Sequence, residues 1–105
     1  MRIASDTAFD QAGVSRDAIS IAGIGDHFTI SVLFALEAAG FCKLGEGGAF
    51  VEGGALGIGG RLPTNTNGGF LSFSHAGICG IFTLIEVVEQ LRGSAGPRQV
   101  ADARY

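Results

Sequence analysis

The side chains best suited to chemistry in this sequence are an imidazole and a thiol four residues apart, His75 and Cys79. Ser74 is a suitable helix cap, so His75 would stand at the positive end of a helix dipole, which favours the neutral ring over imidazolium. That is the state a general base needs near neutral pH. The plainer alternative is a histidine satisfied by a backbone carbonyl. Cys79 would share its helix face and could approach it, as a thiolate nucleophile does its base. It is also the right size for a small buried hydrophobe between Ile78 and Gly80. Cys42, beside Phe41 just after a helix end, reads the same way.

Asn65 and Asn67 flank Thr66 in a glycine-rich turn upstream of His75, and their amides could orient water or a carbonyl oxygen. Asn before Gly-Gly also suits simple turn chemistry. Asp26 and His27 adjoin at a helix start. Neighbouring helix positions point about 100° apart, so a capping aspartate and a surface histidine are expected rather than an Asp-His pair.

The elements that must position these groups follow from the apolar spacing. Ser5 to Gln11 predicts a short helix capped by Ser5 and stopped by Gly13, and Asp17 to Ile24 a short strand. A helix over roughly His27 to Ala39, capped by Asp26 and ended by Gly40, carries Phe28, Ile30, Val32, Leu33, Phe34 and Leu36 with hardly a polar face, the pattern of a buried helix. A second apolar helix is expected from Ser74 through Leu91, ended by Gly93, Gly96 and Pro97, with Arg98 to Tyr105 opening a strand. Between the two helices, Gly45 to Gly69 is dominated by glycine. The segment matches neither GxGxxG nor a P-loop, so mobile linker and close backbone approach to a ligand both remain open.

Bulk properties narrow the field. At 105 residues the chain fits one domain, given about 100–200 residues for a typical one. It is 47% hydrophobic and 16% charged, which predicts apolar surface covered by another body. The net charge is −3 and the seven Lys and Arg residues are scattered, so nucleic acid is not expected as a partner. No apolar run approaches the roughly 20 residues of a membrane span. No secretory signal opens the chain, and two cysteines make neither a zinc set nor a disulfide framework, which points to the cytoplasm.

Four motifs occur in one order: Gly25-Asp26-His27-Phe28-Thr29, Gly45-Glu46-Gly47-Gly48-Ala49-Phe50, Asn65-Thr66-Asn67-Gly68-Gly69 and Ser74-His75-Ala76-Gly77. The series resembles the C-terminal half of thiolases of the sterol-carrier-protein-x or lipid-transfer type, over nearly the whole chain. The resemblance implies an α/β fold, a βαβαβ-type mixed sheet with a buried central helix, incomplete over residues 1–105 for want of the final strands and the Cys-x-Gly segment. It implies that His75 takes the place of the histidine of a Gly-His-Pro motif, with Asn67 as a supporting polar group. Gly25 stands where the family's His-Asp-x-Phe motif has its histidine, and that role does not pass to His27. The nucleophilic cysteine of the first half and the Cys-x-Gly cysteine have no counterpart.

The implied activity is acyl-CoA carbon–carbon bond cleavage or condensation by a thiolase-type acyltransferase, with a coenzyme A thioester as substrate, no cofactor and no metal. The implied partners are a thiolase N-terminal half or further copies of the chain and, as in some relatives, a zinc-binding OB-fold protein. The competing expectation is a non-catalytic remnant or assembly subunit that keeps the fold without the chemistry.

Overall fold

The chain alternates short helices with turns held by hydrogen bonds. The structure is a computed structural model that describes residues 1–73 and 77–105. Its helices are α1 (Arg2–Ala12), α2 (Thr29–Ala39), α3 (Gly47–Val51), α4 (Gly69–Ser72) and α5 (Gly80–Leu91), with 3-10 turns at Arg16–Ala18, Glu52–Gly54 and Gly96–Arg98.

The glycine stops are where the sequence places them. Gly13 and Gly40 both adopt left-handed conformations that close α1 and α2. The starts differ. α1 begins three residues before Ser5, whose hydroxyl instead donates to the Ala39 carbonyl at the end of α2. α2 begins at Thr29 rather than His27, because Ser31 Oγ accepts the Phe28 amide at 3.2 Å and donates to the Phe28 carbonyl at 2.6 Å, closing the first turn locally. Asp26 is thereby released to cap a different helix.

The expected mixed sheet is absent among the described residues. One parallel bridge, Ala22 to Thr64, is all that forms, and the described chain is about half helical. The reason lies in the flanking residues. Ala22 donates to the Pro63 carbonyl and accepts from the Asn65 amide. The rung before it would need an N–H from Pro63, which proline lacks. The rung after it is taken over by the Asn65 side chain, whose amide pairs with both backbone groups of Ile24. On the other side of the segment, Ser20 and Ile21 both donate to the Tyr105 carbonyl, so the expected C-terminal strand contributes a point contact instead of a ladder.

Nor is the first long helix buried. A small core of Ala22, Leu36, Phe50 and Leu62 gathers Ile19, Ile24, Val32 and Phe41 around it. Leu36 alone of α2 is buried, while Phe28 and Phe34 are 70% and 62% exposed. Its all-apolar composition reports a surface left open, not a helix enclosed by this chain.

The glycine-rich stretch folds. It supplies α3, the 3-10 turn after it and two core side chains, Phe50 and Leu62. Glu37 Oε1 accepts the Gly47 amide at 2.8 Å and ties α3 to α2. Among the described residues no helix is long and apolar enough to cross a membrane.

Candidate functional site

The motifs around Asp26 and Asn65 come together although about forty residues separate them. Asn65 has a left-handed backbone, φ 49°, tolerable because a short amide can bond locally. Its Oδ1 accepts the Ile24 amide at 2.9 Å and its Nδ2 donates to the Ile24 carbonyl at 2.7 Å. The side chain thus mimics a strand residue while the main chain turns away. Gly68 then donates to the Asn65 carbonyl at 2.8 Å and closes the turn.

Asn67 is half-buried on the far side of this turn. Its Oδ1 accepts the Gly69 amide at 3.0 Å and its Nδ2 donates to the Phe82 carbonyl of α5 at 3.2 Å. Among the described residues one amide hydrogen remains beyond these bonds for a further acceptor.

Asp26, 5% exposed, accepts the Phe70 amide at 2.7 Å and so caps α4 across the fold. Gly69 makes this possible. Its φ is 63°, and a Cβ there would lie 2.6 Å from Asp26 Cγ, so no side chain fits beside the carboxylate. The His27 ring meets the Phe70 ring edge-on at 5.1 Å. Its Cε1 lies 3.3 Å from where a Cβ on Gly25 would stand, so the imidazole leans back over that glycine.

Thr66, between the two asparagines, leads into a buried polar network that sequence reasoning missed. Its hydroxyl donates to Glu86 Oε1 at 2.7 Å and accepts from Gln90 Nε2 at 3.1 Å. Glu86 and Gln90 are 3% and 1% exposed. Arg98 reaches Glu86 with two nitrogens, at 3.2 and 2.9 Å, and Gln90 bonds the Arg98 carbonyl and the Val100 amide. Burial by itself would push the Glu86 carboxyl up. The hydrogen bonds from Arg98, Thr66 and Gln90, with the Arg98 charge, hold it below its ordinary value. The signal was available: Glu86 and Gln90 are four apart on a helix whose other faces are apolar.

Ser74, His75 and Ala76 lie outside the described residues, so the general-base candidate and its pairing with Cys79 have no geometry here. Cys79 is buried at the start of α5. Cys42 is half-buried, and burial followed by the Glu37 and Glu46 charges raises its thiol pKa, against a smaller pull from Arg61. A raised pKa keeps that sulfur protonated near neutral pH and unsuited to nucleophilic attack.

The whole sequence, residues 1–105, matches the family described as thiolase C-terminal domain-like. The chain belongs to that family. This thiolase C-terminal domain-like chain is 41% identical over 101 residues to an acetyl-CoA acetyltransferase of Methanothermobacter thermautotrophicus, a match covering 95% of the chain and 26% of the relative. It is 44% identical over 85 residues to a 17-hydroxy-3-oxo-4-pregnene-20-carboxyl-CoA lyase of Mycobacterium tuberculosis, covering 81% of the chain and 22% of the relative. Among solved structures it superposes on the Ltp2-ChsH2(DUF35) aldolase with a TM-score of 0.85 at 38% identity, over 96% of the chain and 26% of that one. The domain therefore spans about a quarter of the length of these relatives.

Proposed function

We propose that this domain is the C-terminal portion of an acyl-CoA carbon–carbon bond cleaving or condensing enzyme, working with a thiolase-type N-terminal half. The observation that carries the reading is the joining of two distant motifs. Asp26 caps the helix that follows Asn65-Thr66-Asn67-Gly68-Gly69, and this braced turn leads within a few residues to Ser74-His75-Ala76. In this reading His75 moves a proton to or from the reacting thioester or donates to its oxygen. The remaining amide hydrogen of Asn67 supports that oxygen. The substrate is a coenzyme A thioester, no cofactor is required, and the setting is the cytoplasm. A further copy of the chain, or a zinc-binding OB-fold protein, completes the assembly.

The test is co-expression with an N-terminal half from a relative and an assay of acyl-CoA cleavage. Activity should fall by about a hundredfold or more in His75→Ala, the range of a lost general acid or base. Equal rates would remove His75 from the mechanism.

One observation favours a second reading, a non-catalytic assembly subunit. Both glycine-turn asparagines spend most of their hydrogen-bonding capacity on backbone groups, as structural residues do. A complemented pair that assembles but leaves acyl-CoA intact would establish it.

A further inference from the structure

We propose that the cavity between the end of α2, α3 and Arg61 binds the phosphate groups of a small phosphorylated molecule. The cavity is lined by none of the residues of the Asn65–Gly69 turn. The cavity has a volume of about 650 Å³, within the usual range for small-ligand sites, and is bordered by Arg2, Lys43, Arg61, Glu46 and the rings of Phe41 and Phe50. Its lining holds three cations and one carboxylate in a chain whose net charge is −3.

The charge balance of the individual side chains strengthens the case. Among the described residues Arg61 has no carboxylate within ion-pair distance, and its guanidinium carbon lies 3.7 Å from the centroid of the Phe50 ring. Stacking in this way holds the guanidinium plane while leaving its N–H edge for an outside acceptor, the arrangement suited to two-point contact with phosphate. Arg2 shares its single carboxylate partner, Asp6, with Arg16, so one negative charge serves two guanidiniums. Lys43 is 3.8 Å from Glu46 and 86% exposed at its side chain, a loose pair that a multiply charged anion would displace. A flat ring attached to the phosphates would meet Phe41, which also borders the cavity.

Titration of the full chain with inorganic pyrophosphate and with ADP, followed by calorimetry at low salt, tests the site. One saturable event is expected for each, tighter for ADP if a ring contacts Phe41. Arg61→Gln should weaken binding by about tenfold, the scale of a lost charge-assisted contact. Lys43→Gln, on a side chain too exposed to hold the fold, should weaken it less. An unchanged circular dichroism spectrum separates loss of the site from loss of structure. Absence of a saturable event, or equal affinity in the wild type, Arg61→Gln and Lys43→Gln, would overturn the proposal.

Discussion

At the scale of single residues the turn beside α4 stands on Asp26 and Gly69, and the two fail in different ways. Asp26→Asn keeps an oxygen for the Phe70 amide and should cost less than about 1 kcal/mol, whereas Asp26→Ala removes the cap and should cost about 1–2. Gly69→Ala combines a left-handed backbone with a collision against the carboxylate and should lose at least about 2 kcal/mol. Urea midpoints of the three variants check the ranking, and a mild Gly69→Ala would mean that the carboxylate can swing away. Glu86 gives a pH signature. Its folded pKa lies below the ordinary glutamate value, so its contribution to stability is fully present above that ordinary value and is lost as pH falls through the lower folded one. Glu86→Gln should therefore flatten the acid limb of stability against pH, measured by thermal melts from neutral pH downward. An acid limb of unchanged steepness would show that Glu86 is not its source.

At the scale of elements, Asn65 is the piece that decides between sheet and turn. Asn65→Gly keeps access to φ 49° but deletes both bonds to Ile24, while Asn65→Ala loses the bonds and strains the backbone as well. The first should cost about 1–2 kcal/mol and the second about 1 more, readable as a stepwise drop in denaturant midpoint. Identical losses would place the whole effect in the hydrogen bonds. The same residue explains what the sequence disclosed. Gly13, Gly40 and the end of α5 at Leu91 are local signals, and local signals were readable. Asp26 was recognisable as a cap by type, but which helix it caps depends on a contact forty-four positions away that no period or propensity encodes. The sheet failed for a similar reason: Asp17 to Ile24 has the apolar character of a strand, yet pairing is a property of two segments, and the other one carries Pro63 and Asn65. Of the proposed site, Asn67 was legible as part of a turn motif, while the place of Glu86 in a network depends on Thr66 and Arg98, partners 20 and 12 positions away.

At the scale of the molecule, compactness and burial part company. The radius of gyration is 13.2 Å, what a folded chain of this size should have, so the exposed apolar side chains do not come from an expanded chain. They lie on well-formed helices: Ile30 and Phe34 are one turn apart on α2, and Ile81 and Ile85 are one turn apart on α5, all substantially exposed. A helix stripe of this kind gains its hydrophobic free energy only when another body covers it. The chain spans about a quarter of its relatives' length, and coverage by a further polypeptide accounts for the stripes without any change of fold. The isolated chain should accordingly bind a hydrophobic dye and self-associate as its concentration rises in light scattering. The double variant Phe34→Ser and Ile85→Ser should reduce both effects while keeping the helical circular dichroism, because Leu36, not these residues, anchors α2 to the core. It should also weaken assembly with an N-terminal half, linking the open faces to the partner. A wild-type chain that stays monomeric and dye-free would show that these stripes need no cover, and the case for a partner would then rest on sequence likeness alone.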